Sequence, residues 1–148
     1  MNSIVNFPLF AALISVFTAQ IVKVPIHFFS TGHINVKLAF STGGMPSSHS
    51  AAVVSLAAAV GMKDGFSSSL FAVAAMFSII TMYDAAGVRR QAGTHASILN
   101  RMTRVIPIFQ NGQEAVSTLK EMLGHRPSEV CAGAVLGLVV SILLRFIL

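Results

Sequence analysis

Four stretches of the chain are apolar enough to form membrane helices, and polar segments separate them. Residues 7–29, 67–88 and 127–148 are each long enough to cross the roughly 30 Å hydrocarbon core of a bilayer. The second stretch, 48–62, would form a helix of only roughly 22 Å, so we expect it to begin below the membrane surface. The pattern predicts an all-α, polytopic membrane helical bundle with about four spanning segments.

The polar segment before the last stretch is amphipathic. Apolar residues recur there at helical spacing until Pro107 ends the pattern, at Ala92, Ala96, Leu99, Met102 and Ile106. A second short amphipathic helix is expected after the turn at Asn111 and Gly112, ending at Gly124, with Val116, Leu119 and Leu123 on one side. Short interfacial helices are therefore predicted beside the spanning ones.

Composition supports a membrane location. The chain has 148 residues, of which 54% are hydrophobic and 10% charged, and its mean hydropathy is +0.76. A water-soluble domain of this length needs more charged surface, so most of the surface is expected to face lipid. We expect a single integral-membrane domain over residues 1–148. The single cysteine, Cys131, can form no internal disulfide.

The crossing count orients the chain. Four crossings place the 30–46 loop and the 89–126 segment on one side of the membrane. Most cations lie on that side, namely Lys23, Lys37, Arg89, Arg90, Arg101, Arg104, Lys120 and Arg126, whereas Lys63 and Arg145 lie on the other. By the positive-inside rule this side faces the cytoplasm, in the cell membrane if the source is bacterial. The net charge of +5 is spread over these loops, which favours membrane lipids and phosphate substrates, and not nucleic acid, as partners.

Four membrane crossings would also place three polar clusters at one membrane face. The first cluster is GGMPSSH, residues 43–49. Gly44 permits a tight turn, and Ser47 or Ser48 can cap the following helix. The N-terminus of a helix presents unpaired N–H groups and a positive dipole end, which together attract an anion. His49 in that first turn would point a proton donor at the anion. The alternative is an ordinary capped helix with an incidental interfacial histidine.

The second cluster is YDAAGVRR. Asp84 lies at the edge of a span, where an ionisable group is costly and suggests a function, and Arg89 or Arg90 is its natural partner. Adjacent arginines can also hold a phosphate, one binding the anion while the carboxylate orients the other. The alternative is a positive-inside anchor with a structural ion pair.

The third cluster is GHRPSE, in which His125 precedes Glu129 by four residues. That spacing brings a carboxylate within reach of an imidazole, fixes its tautomer and leaves the other ring nitrogen free to attack. The alternative is that Glu129 only complements the helix dipole. A metal site is not expected, because the candidate ligands lack metal-binding spacing; they are His49, His95, His125, Asp84 and Glu129.

Together these residues resemble the type 2 phosphatidic acid phosphatase (PAP2) superfamily, and most closely its small divergent branch, which is related to acid phosphatases and vanadium haloperoxidases. PSSH at 46–49 resembles the Pro-Ser-Gly-His motif, with Ser48 in place of glycine. HRPSEVCAGAVLG at 125–137 resembles the histidine–carboxylate motif, with Glu129 in place of aspartate. The resemblance implies a membrane phosphatase that hydrolyses a lipid or prenyl phosphate or diphosphate without a metal or other cofactor.

The resemblance also implies residue roles. His125 would be the nucleophile that forms a phosphohistidine, Glu129 would orient it, and His49 would protonate the leaving oxygen. The candidate phosphate-binding residues are Arg89, Arg90, Ser47, Ser48, Lys23 and Lys120, with Asp84 and Gly44 in support.

The sequence departs from the superfamily pattern in places. Lys23 is followed by Val24 and Pro25 and not by an Arg-Pro pair, and no arginine lies five residues before His125. Arg89 does precede His95 at this spacing, so His95 is a rival for the histidine of the histidine–carboxylate motif, but Leu99 stands in place of its carboxylate. A non-enzymatic protein that binds or transports an anionic lipid is therefore the alternative, and halide oxidation on bound vanadate is a third hypothesis. Because the chain is short for the superfamily, a homodimer is also an expectation.

Overall fold

The structure is a computed structural model that describes residues 6–40, 43–105, 118–121 and 124–148. Its elements, in chain order, are α1 (Phe7–Thr31), a 3₁₀ segment (Val36–Phe40), α2 (Ser48–Asp64), α3 (Ser69–Ala86), α4 (Val88–Val105) and α5 (Pro127–Ile147). Helices α1, α2, α3 and α5 form a bundle, and the described ranges contain no β-strand. The predicted all-α bundle is confirmed.

Three stretches are long and apolar enough to cross a membrane by length and composition: Phe7–Thr31, Ser69–Thr103 and Pro127–Ile147. The remaining bundle helix, α2, has 17 residues and is about 26 Å long. It packs against α1, α3 and α5, so the shortest helix occupies the centre of the bundle. That position explains why its residues are mostly small and buried.

Glycines on α5 allow α2 to approach closely. A Cβ atom at Gly133 would collide with the carbonyl oxygen of Ser47, and one at Gly137 with that of Ala51. Small residues at such positions let helix backbones pack tightly in membranes. This packing brings the N-terminus of α2 against the first turns of α5.

The amphipathic segment forms α4 as far as Val105, while Ile106 and Pro107 lie outside the described residues. Its buried residues are Gly93, Ala96 and Asn100, whereas Leu99 and Met102 are about half exposed and available to lipid.

Most of the second predicted amphipathic helix also lies outside the described residues. Residues 118–121 are described and are not helical. There the side chain of Asn100 donates to the Leu119 carbonyl at 2.8 Å and accepts from the Leu119 N–H at 2.9 Å. These bonds replace the helical hydrogen bonds that the sequence pattern predicted for Leu119.

Candidate active site

Backbone hydrogen bonds join the three polar clusters at one end of the bundle. The N–H of His125 donates to the carbonyl of Ala85 at 2.9 Å, and the N–H of Ser47 donates to the carbonyl of Glu129 at 3.0 Å. The C-terminal end of α3 and the N-terminal ends of α2 and α5 therefore meet.

The first turn of α5 builds the pair that the i, i+4 spacing predicted. Nδ1 of His125 lies 2.9 Å from Oε2 of Glu129, and the same oxygen accepts the N–H of Arg126 at 3.2 Å. His125 is buried, with 6% of its surface exposed. With a proton on Nδ1, the carboxylate holds the imidazole and leaves the lone pair of Nε2 free to attack.

Gly124 brings this turn against the start of α4. Its φ of 81° lies in the left-handed region, and a Cβ atom there would collide with the N atom of Arg90 and lie 2.8 Å from the carbonyl carbon of Arg89. Only glycine fits such an approach without displacement. The sequence pattern identified Gly124 as a helix end but contained no signal for this contact.

A cavity of about 300 Å³, which we call the His125 cavity, lies where these segments meet. Its walls include Gly44, Arg90, Gly124, His125, Arg126 and Glu129. Two guanidinium groups and one carboxylate leave an excess of positive charge, which suits a phosphate. Arg126 is the charged lining residue that was not among the predicted site residues, although its position beside His125 could have indicated it.

The two adjacent arginines have different surroundings. Nε of Arg89 lies 2.6 Å from Oδ2 of Asp84, the ion pair that the sequence predicted for one of the two arginines. Arg90 instead lines the His125 cavity. The carboxylate therefore orients one arginine while the other is placed where an anion could bind.

His49 lies near this cavity but does not line it. Partial burial lowers the pKa of its imidazole below the ordinary value of 6.5, and electrostatic interactions with the side chains of Arg89, His125 and Lys23 lower it further. The position of His49 in the first turn of α2 therefore brings it close to the groups of the candidate site.

The two serines before His49 differ in their hydrogen bonds. Ser47 is fully buried and caps α2, and its Oγ accepts from the N–H of Ser50 at 3.3 Å and from the hydroxyl of Ser50 at 3.0 Å. Because the N–H of Ser47 donates to the carbonyl of Glu129, it is not available to bind a phosphate. The N–H of Ser48 has no hydrogen-bond partner among the described residues, so it is available for the predicted contact with phosphate.

Of the two candidate lysines, the structure brings one to the site. Lys23 is 2% exposed and lines a neighbouring cavity of about 230 Å³, which we call the Lys23 cavity; Gly44 is a wall of both cavities. The charge of Glu129 acts on the Lys23 ammonium. Lys120 is exposed and is not among the residues lining either cavity. Its placement does not support the predicted phosphate contact.

Among the residues that the structure describes, no three His, Cys, Asp or Glu side chains come together as a metal site. His95, the centre of the rival motif, is exposed on α4.

A helical bundle with three membrane-length apolar stretches and a polar cavity at one end is a polytopic integral membrane protein. A family model described as "Divergent PAP2 family" matches residues 4–140, and the chain belongs to this family. It is 43% identical over 155 aligned residues to the uncharacterized membrane protein YuiD of Bacillus subtilis (strain 168), an alignment that covers 99% of this chain and 98% of that protein. No solved structure matches the chain.

Proposed function

We propose that the protein is a metal-independent membrane phosphatase that hydrolyses a lipid or prenyl phosphate or diphosphate through a phosphohistidine at His125. The observation that carries this proposal is the His125–Glu129 pair on the wall of a cavity that also presents Arg90 and Arg126. A nucleophile oriented by a carboxylate, next to groups that bind an anion, suits phosphoryl transfer through a covalent intermediate.

In the first step, the Nε2 lone pair of His125 attacks phosphorus while the bond from phosphorus to the leaving oxygen breaks. The leaving oxygen takes a proton from His49, and Glu129 stabilises the positive charge that develops on the imidazole of His125. Arg90 and Arg126 stabilise the negative charge on the transferring phosphoryl group.

In the second step, water attacks phosphorus and the bond between phosphorus and nitrogen breaks. His49, now neutral, accepts the proton that water loses, so inorganic phosphate leaves and both histidines return to their starting states.

The lowered pKa of His49 fits this cycle. Cations that oppose the imidazolium in the free protein are neutralised when a phosphate anion binds among them. Substrate binding therefore raises the pKa of His49 and supplies the acid when it is needed.

We also propose that the site faces the cytoplasm, as the distribution of Lys and Arg predicts. A membrane-impermeant maleimide should reach a cysteine placed at Lys120 in a Cys131→Ser background only from the cytoplasmic side. Labelling from the outside would reverse the orientation.

A second candidate function is binding or transport of an anionic lipid without turnover. It is favoured by the position of His49, which is not among the residues lining the His125 cavity, so the acid is not directly on its wall.

Phosphate release by the purified protein in detergent, from a panel of lipid and prenyl phosphates, tests the proposal. His125→Ala and His49→Ala should lose the activity, whereas His33→Ala, an exposed histidine in the loop after α1, should retain it. If the wild type releases no more phosphate than His125→Ala but still binds these lipids, the non-enzymatic function replaces the enzymatic one.

A further inference from the structure

Asn100 is a buried polar residue on α4, with 5% of its surface exposed, and its side-chain amide binds a segment that is distant in sequence. Its Nδ2 donates to the carbonyl of Leu119 and to Oε1 of Glu121, both at 2.8 Å. Its Oδ1 accepts from the N–H of Leu119 at 2.9 Å. We call these three hydrogen bonds the Asn100 clamp. An amide group has two N–H donors, so the clamp uses both of them.

The segment that the clamp holds leads to the nucleophile of the proposed reaction. Gly124 and His125 follow the clamped residues in the chain. Gly124 approaches α4 so closely that a Cβ atom there would collide with the backbone of Arg90. The N–H of His125 then donates to the carbonyl of Ala85 on α3. Helices α3 and α4 therefore hold this part of the chain at three successive points, of which the Asn100 clamp is the first.

The length of chain between the clamp and Gly124 leaves little freedom. Asn100 and Arg90 are ten residues apart on α4, which is about 15 Å along the helix axis. Five residue steps separate Leu119 from Gly124, and five steps can span at most about 18 Å. The place of Leu119 on α4 therefore restricts the place of Gly124, and with it the place of His125.

We propose that Asn100 is a positioning residue, whose clamp fixes the segment that carries His125 so that Nε2 of His125 is held where it can attack phosphorus. The role is indirect, because Asn100 is not among the residues that line the His125 cavity. The effect on catalysis rests on the proposed function, whereas the placement of His125 does not. A nucleophile displaced by about 1 Å reacts roughly a hundredfold more slowly, so a clamp outside the cavity can control the rate.

Turnover tests the role in catalysis. Asn100→Asp keeps the size of the side chain and one acceptor, but it removes both donors and places a carboxylate against Glu121. The kcat for phosphate release should fall about a hundredfold. KM should change far less, because Arg90 remains on α4 to bind the substrate. Thr94→Asp, at an exposed position of the same helix, introduces the same charge and should leave both constants unchanged.

A second substitution separates the clamp from a general loss of folding. Glu121→Gln alone should have little effect, because its amide oxygen can still accept from Asn100. In the Asn100→Asp background it should raise kcat about tenfold, because its amide N–H can donate to the new carboxylate. In Asn100→Leu, which offers no acceptor, the same change should restore nothing.

Chemical modification tests the placement of His125 without any turnover. Diethylpyrocarbonate acylates histidine rings that are accessible, and His125 is 6% exposed, so it should react slowly in the wild type. Its reaction should be faster in Asn100→Asp and slow again when Glu121→Gln is added. His33 is exposed and provides the reference rate in each protein, and mass spectrometry of peptides distinguishes the two histidines.

The outcomes separate this inference from the proposed function. Faster modification of His125 in Asn100→Asp, reversed by Glu121→Gln, would support the placement of His125 by the clamp even if the wild type releases no phosphate, a result that would overturn the phosphatase. Unchanged kcat and unchanged modification of His125 in Asn100→Asp would overturn the positioning role while the phosphatase stands. A loss of kcat that Glu121→Gln does not relieve would likewise overturn it, because Asn100 would then support only the fold.

Discussion

Nδ1 of His125 and Oε2 of Glu129 lie 2.9 Å apart at the N-terminal end of α5, and the carboxylate is fixed from a second direction by the N–H of Arg126. The pair is local in sequence, but His125 is also tied to α3 through the carbonyl of Ala85. The imidazole is therefore held by Glu129 of α5, and the backbone of His125 by α3, before any substrate binds.

Replacing Glu129 by Gln should reduce phosphate release by about a hundredfold, the lower range for loss of a group that assists proton transfer. The amide cannot stabilise positive charge on His125, and it can donate a hydrogen bond to Nδ1. That bond favours the tautomer with its proton on Nε2, which leaves no lone pair there to attack phosphorus. Nitrogen-15 NMR of labelled histidine should show this tautomer change along with the loss of activity. Asp64→Asn, an exposed carboxylate at the far end of α2, is the control. Unchanged turnover in Glu129→Gln would remove Glu129 from the mechanism.

Replacing Arg89 by Gln should raise the pKa of His49. Arg89 is the largest charged contributor to the lowering of this pKa, after burial itself. Its removal also leaves the carboxylate of Asp84 without its partner, and that charge acts in the same direction. Histidine NMR titrations of the protein in detergent measure the change. Arg101→Gln, an exposed arginine on α4, should leave the His49 titration where it was.

The stability of the protein should fall in mild acid because of His49. The pKa of His49 is lower in the folded protein than the ordinary 6.5, so the unfolded chain binds more protons at pH values between the two pKa values. Stability is full above pH 6.5 and is lost as the pH falls through the folded-state pKa. Thermal melting in detergent across this range should show the loss, and His49→Gln should flatten the curve where His33→Gln does not. A wild-type stability that rises on acidification through this window would contradict the lowered pKa.

Replacing Gly124 by Ala should destabilise the protein more than replacing Gly32 by Ala. Both glycines have positive φ, of 81° and 72°, so both variants are strained by about 1 kcal/mol. A Cβ atom at Gly32 meets nothing within 4 Å, whereas one at Gly124 collides with the backbone of Arg90. We expect a loss of about 3 kcal/mol at Gly124, measured by unfolding in detergent, and loss of phosphate release. Equal losses in the two variants would show that the contact with Arg90 is unimportant.

Much of the helical framework could be predicted because lipid imposes simple requirements on a chain. The first and last apolar stretches form α1 and α5 nearly as predicted, and the short stretch from Ser48 forms α2. The conformation at Leu119 was harder to predict from the sequence, because its backbone bonds to the side chain of Asn100, which is 19 residues away. Periodicity within a segment contains no information about such a distant partner.

The contacts of the candidate site also fall into two groups, those that the sequence spacing predicted and those that it did not. Contacts between residues four or five apart were visible in the spacing, as His125 with Glu129 and Asp84 with Arg89. Contacts between segments distant in sequence were not visible in the spacing: the bond from the Ser47 N–H to the Glu129 carbonyl and the approach of Gly124 to Arg90 depend on how the helices pack.

The sequence by itself determined an apolar helical bundle with polar clusters between and beside its helices, because the length and the order of the apolar stretches are properties of the chain alone. The tertiary structure decided which groups of those clusters share a cavity. Gly124, Gly133 and Gly137 let these segments approach to within contact of their backbones, and that approach places Arg90 and the N-terminal end of α2 beside the N-terminal end of α5, where the His125 cavity lies. Distances between helices arise from packing, and no single helix encodes them.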